Sequence, residues 1–127
     1  MQLILRDDLP FVELTVIYKG YTIEIPSVLV DTGSASTILA ADQVTVINIF
    51  PEPEDRLFTI RGVGGSEVVY SRRVDRLQIG MSGLNNLEIE VGGMDYGFEI
   101  GGILGMDFLT QAGAVIDLRQ MTIEFST

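Results

Sequence analysis

The chain has 127 residues, with 18 acidic and 8 basic side chains, a formal net charge of −10, and neither cysteine nor histidine. Without cysteine there is no disulfide framework, thiolate nucleophile or cysteine zinc site, and without histidine the Ser-His-Asp and Cys-His arrangements and the usual zinc triads are excluded. The acidic balance argues against a nucleic-acid partner, which needs Lys and Arg to displace counterions, and reads more simply as a soluble acidic surface. A hydrophobic share of 46% suits one domain with a real core, residues 1–127.

Phe11–Tyr18 and Tyr21–Ile25 are rich in β-branched and aromatic residues. Lys19-Gly20 between them has hairpin spacing, and Pro26 is expected to break or end the second strand. The apolar run Val28-Leu29-Val30 then delivers Asp31 to a turn, Thr32-Gly33-Ser34, and Ile38-Leu39 resumes the apolar pattern. Two readings of that turn stand. One is a β-turn whose Asp hydrogen-bonds its own backbone. The other is a carboxylate held at the edge of a core for chemistry. For a cofactor-free enzyme of this composition, carboxylates are the leading acid–base candidates.

Asp42-Gln43-Val44 suggests a short helix, weakened by the β-branched run Val44-Thr45-Val46. Phe50–Asp55 is a loop by proline count and charge. Leu57–Ile60, Arg61–Ser66 and Glu67–Tyr70 read as strand, glycine-rich tip, strand. A phosphate-binding loop fails there, because the full Gly-x-Gly-x-x-Gly spacing is missing and no Gly-Lys-Ser/Thr follows. Val74–Ile79 and Leu84–Val91 read as two more strands about a turn at Gly80–Gly83. Gly92–Gly97 is a loop whose acids do not match a calcium-binding pattern. Ile100–Leu104 reads as a buried strand and Met106–Leu109 as the start of a helix capped at Gly113. Ala114–Leu118 and Met121–Phe125 close the chain as a hairpin. The expected fold is almost all β with one or two short helices.

Asp31-Thr32-Gly33-Ser34 between apolar strands closely resembles the active-site turn of aspartic proteases. Gly62-Val63-Gly64-Gly65 resembles the flap tip of the retroviral enzymes. Ile100-Gly101-Gly102-Ile103-Leu104-Gly105-Met106-Asp107-Phe108-Leu109 resembles their second signature, in the form associated with retrotransposon and bacterial members. Retroviral enzymes often carry Arg or Asn where this chain has Asp107, which leaves the contacts of Asp107 open.

The resemblance spans Phe11 to Phe125 and implies an all-β, closed or partly open barrel of the retropepsin type, with a flap hairpin. No other Asp in the chain is followed by Ser/Thr-Gly, whereas aspartic proteolysis needs two carboxylates sharing a water. The resemblance therefore implies a homodimer in which each copy contributes Asp31. It implies that Gly33 N–H and the Ser34 hydroxyl hydrogen-bond the carboxylates, and that Thr32 bonds across the two-fold axis. It also implies that an extended peptide or protein substrate lies beneath the flaps, against Ile60, Gly62, Val63, Gly64 and Gly65. No metal or cofactor is required. The alternative is a dimeric binding or assembly module that keeps the fold without useful turnover. No apolar run approaches the roughly 20 residues that span a bilayer, and Met1–Arg6 meets charge too soon for a signal peptide. The expected location is the cytoplasm, away from membranes.

Overall fold

A computed structural model describes residues 1–62, 65–94 and 99–126, with the backbone alone for 60–62 and 65–67. Ten strands and two short helices follow in order. They are β1 (Ile4–Arg6), β2 (Leu9–Tyr18), β3 (Tyr21–Val30), β4 (Ile38–Ala40), α1 (Ala41–Val44), β5 (Leu57–Gly62), β6 (Gly65–Ile79), β7 (Ser82–Gly92), β8 (Gly102–Leu104), α2 (Met106–Gln111), β9 (Val115–Asp117) and β10 (Thr122–Glu124). A 3₁₀ turn, Thr45–Ile47, extends α1. The strand order is β1-β2-β3-β8-β4-β7-β6-β5, and β2 also pairs with β6. That added pairing closes six strands, β2-β3-β8-β4-β7-β6, into a ring. The barrel expected from the resemblance is the fold observed.

The β2–β3 hairpin turns at Lys19-Gly20, both at positive φ (48° and 86°), as the spacing predicts. Pro26 does not end the strand. β3 runs on to Val30, and Pro26 sits in a β-bulge. Val12 faces Val28 and Leu14 faces Ile25, so Pro26 and Ser27 together oppose Glu13. Ser27 takes the left-handed conformation, φ 58°. The missing N–H of proline is tolerated where the ladder is already interrupted.

The extra residue also changes the strand's phase. Before the bulge the odd residues Ile23 and Ile25 face the main core; after it the even residues Val28 and Val30 do. Leu29 packs on a second apolar cluster built from Phe11, Ile38, Ala40, Val69, Met94, Ile100 and Ile103. Two groups hold the bulge. Gly101 N–H donates to Ser27 C=O at 2.9 Å, and a Cβ on Gly101 would run into the Pro26 carbonyl. The Arg6 guanidinium lies 4.4 Å from the Phe11 ring centroid and donates to Ser27 Oγ and to Glu99 C=O, each at 2.9 Å.

β6 differs from expectation by joining two predicted segments. Glu67–Tyr70 and Val74–Ile79 belong to one 15-residue strand. Ser71, Arg72 and Arg73 stay in the ladder opposite Glu90, Ile89 and Glu88. The Arg72 charge is held by Asp55 at 2.7 Å and Glu52 at 3.1 Å. The hairpin to β7 turns at Gly80-Met81 alone, since Ser82 and Gly83 already pair with Ile79 and Gln78. After α2, Gly113 (φ 64°) N–H bonds Thr110 C=O and Ala114 N–H bonds Leu109 C=O. This is the Schellman cap that Gly113 predicts. Phe108 packs edge-on against Phe125, with centroids 5.9 Å apart, seating α2 on the closing hairpin.

Candidate active site

β8 lies between β3 and β4, parallel to the first and antiparallel to the second. All three residues of β4 and all three of β8 are buried. Short apolar runs with no polar alternation are what a strand covered on both faces requires. Val28, Leu29 and Val30 pair with Gly102, Ile103 and Leu104, and Asp31 N–H continues that line to Leu104 C=O at 3.0 Å. The ladder therefore fixes the backbone up to the acid itself.

Asp31 is half-buried, whereas Thr32 and Gly33 are exposed. Gly33 N–H donates to Asp31 Oδ1 at 2.9 Å, and Ser34 N–H to Asp31 C=O at 3.2 Å. The first bond is the expected one. The Ser34 hydroxyl is different: it donates to Ser36 C=O at 2.8 Å. A hydroxyl has one proton, and here the neighbouring carbonyl takes it, so the expected donation from Ser34 to Asp31 is not made within the protomer.

The second half of the turn is held by α2. Met106 N–H bonds Ser34 C=O at 2.8 Å and Asp107 N–H bonds Ala35 C=O at 3.2 Å. Gly105 lies so close beneath that a Cβ there would strike the Ser36 carbonyl. Thr37 is fully buried and is the one buried polar side chain among the described residues. Its N–H donates to Asp107 Oδ2 at 3.1 Å and its hydroxyl to Oδ1 at 2.7 Å. The same hydroxyl accepts Gly105 N–H at 3.1 Å, and Asp107 Oδ1 accepts Phe108 N–H at 2.7 Å. Asp107 is thus the acceptor that ties the two sequence signatures together.

Glu90 on β7 completes the surroundings. Its N–H bonds Thr37 C=O at 2.9 Å, and the Ser36 side chain lies near enough to its carboxylate to favour the charged form. Burial pushes its pKa above the ordinary carboxylate range; the Ser36 side chain opposes this, and the charges of Asp107 and Glu88 add to it.

Of the remaining expected site residues, Ile60 and Gly62 lie at the end of β5 and Gly65 opens β6. Gly62 pairs with Gly65 and Ile60 with Glu67. Val63 and Gly64 lie outside the described residues. Thr37, Ser36 and Glu90 were not singled out from sequence. The available signal was a hydroxyl at the junction between a turn and a buried strand, the place where a buried polar group must find a partner.

The family described as "gag-polyprotein putative aspartyl protease" matches residues 22–111, which include Asp31, the β5–β6 hairpin and Asp107. The chain belongs to this family. No curated protein matches it in sequence. Among solved structures, a retropepsin-like aspartic protease from Rickettsia conorii superposes with a TM-score of 0.66 at 21% identity, covering 94% of this chain and 92% of that one. The family and the closed barrel agree on a retropepsin-like aspartic protease fold. Among the described residues, no three acidic side chains group as a metal site would require, and no helix is long and apolar enough to cross a membrane.

Proposed function

We propose that the chain is a single retropepsin-like domain, residues 1–127, acting as a homodimeric aspartic endopeptidase. The observation that carries this reading is Asp31, a half-buried carboxylate on an exposed turn with a Gly33 N–H already bonded to one oxygen. Its turn is braced from behind by Asp107 and Thr37, which leaves Thr32 and Gly33 free to meet a second copy.

Two Asp31 side chains related by a two-fold axis would stand about 3 Å apart and share one proton, as is established for aspartic proteases generally. The ionised carboxylate takes a proton from the bound water, which attacks the peptide carbonyl. The protonated partner donates toward the carbonyl oxygen, and the amine leaves after protonation. An extended substrate would pair its backbone beneath the β5–β6 hairpins. No cofactor takes part in this scheme.

The terminal segments support one interface in particular. Gln2 bridges Thr122, Leu3 N–H bonds Met121 C=O at 2.7 Å and Ile123 N–H bonds Met1 C=O at 2.9 Å, all within one protomer. Gln2, Leu3 and β10 are thereby engaged internally, with Leu3 and Ile123 buried. β9 pairs with β10 along one edge. Its other edge is open among the described strands, with Val115 within it and Leu118 just past its end both exposed. Such an edge is ordinarily covered or paired, and a second β9 is a self-complementary cover for it. Light scattering tests the dimer. Incubation with a mixed peptide library from acid to neutral pH, with Asp31→Ala as control, tests the chemistry. Cleavage that persists in the control, or no cleavage at any pH, removes the reading.

A further inference from the structure

A cavity of 510 Å³ lies beside the β5–β6 hairpin, lined by Arg56, Phe58, Ser71, Glu88 and Glu90. Phe58 faces Val69 across the hairpin and packs on the second apolar cluster, the one on which Leu29 of β3 also packs. Ser71, two residues on from Val69, shares its face and pairs with Glu90. Glu90 in turn lies beside Ile38 of β4, and its N–H is bonded to Thr37 C=O, at the end of the catalytic turn. The floor of the cavity is therefore built onto the segment that carries Asp31.

The polar groups in it are unequally satisfied. Glu88 has an exposed partner, Arg73 at 3.3 Å. Arg56 is exposed and makes no ion pair among the described residues. Glu90 Oε2 is buried and meets no hydrogen-bond donor there. A carboxylate oxygen without a donor is costly, and its terminal torsion is soft enough to turn toward the space that Glu90 lines. Phe58 offers an apolar wall of the kind that the aliphatic stem of a long cationic side chain covers.

We infer that this cavity is a specificity subsite for a lysine or arginine side chain of the peptide substrate, with Glu90 as the principal acceptor and Glu88 as the second. The inference rests on the endopeptidase reading for its substrate class, but its test does not need turnover.

The probes are octapeptides of one sequence in which lysine, norleucine or glutamate is placed at each position in turn. Their binding to the Asp31→Asn protein is measured by calorimetry. Lysine should bind about ten-fold more tightly than norleucine at one position, the effect of one charge-assisted hydrogen bond. Glu90→Gln should erase that ratio, and the exposed change Glu88→Gln should reduce it. A ratio near one at every position overturns the inference, as does a preference for glutamate through Arg56, a ratio unchanged in both variants, or no binding of any peptide. Cleavage by the unaltered protein without a basic preference would remove this inference and leave the protease reading intact. A basic preference in binding without cleavage would do the reverse.

Discussion

Asp107 grips Thr37 through both carboxylate oxygens, at 2.7 Å from the hydroxyl and 3.1 Å from the backbone N–H, across 70 residues of sequence. This clamp joins the helix after the second glycine signature to the turn that carries Asp31. Thr37→Val keeps the shape of the side chain but leaves Asp107 Oδ1 and Gly105 N–H each short of a partner. The variant should lose about 2–3 kcal/mol of stability. Thr37→Ser, which keeps the hydroxyl, should lose less. Urea titration of the three proteins gives the comparison, and an equal loss in both variants would refer the effect to packing of the methyl group.

Asp31→Asn should separate chemistry from structure. Its amide oxygen can still accept the Gly33 N–H, and the half-buried site needs no charge to fold. Stability should change by less than about 1 kcal/mol, while peptide cleavage falls by on the order of a thousand-fold or more. Thermal melts and peptide-library turnover on the same preparation check both halves.

Gly101→Ala should be strongly destabilising. The added methyl meets the Pro26 carbonyl and the Ile25 side chain, at the bulge that sets the phase of the strand leading to Asp31. Overpacking of this kind costs about 1–3 kcal/mol, and backbone in the collision puts this site at the upper end. The expected readout is a lower urea midpoint together with reduced cleavage in the fraction that remains folded.

Glu90 gives a pH dependence of stability whose sign follows from its raised pKa. The folded protein holds the Glu90 proton more tightly than the unfolded chain does. Stability from this group is therefore greatest in acid and falls as pH rises from the ordinary carboxylate range through the raised value. Glu90→Gln should raise Tm at neutral pH and give no such gain well below that window. Melting curves in a buffer series decide it. A gain that is the same at every pH would point to something other than the charge.

The open edge of β9 predicts that Val115→Lys and Leu118→Lys each weaken self-association by about ten-fold or more, since a charge would be placed in the strand pairing or at its end. Sedimentation across a concentration series measures this. Unchanged association would move the interface elsewhere.

Much of this molecule was legible in its residues. Lys19-Gly20, the β9–β10 hairpin and the Gly113 cap are local matters, decided by turn chemistry within a few positions, and they appear where the sequence places them. Asp31 could be singled out because an acid between apolar runs is unusual wherever it falls. What sequence could not decide depended on pairing partners far away. Pro26 reads as a terminator until Glu13 and Gly101 are seen to make it a bulge. Glu67–Tyr70 and Val74–Ile79 read as separate strands until β7 is seen to pair with Ser71–Arg73 between them. The Ser34 proton goes to Ser36, and Asp107 goes to Thr37, because the folded chain brings those acceptors and donors within bonding distance. Sequence determined which groups needed partners; tertiary structure decided which partners they found, because a hydrogen bond is satisfied by position in space and not by spacing along the chain.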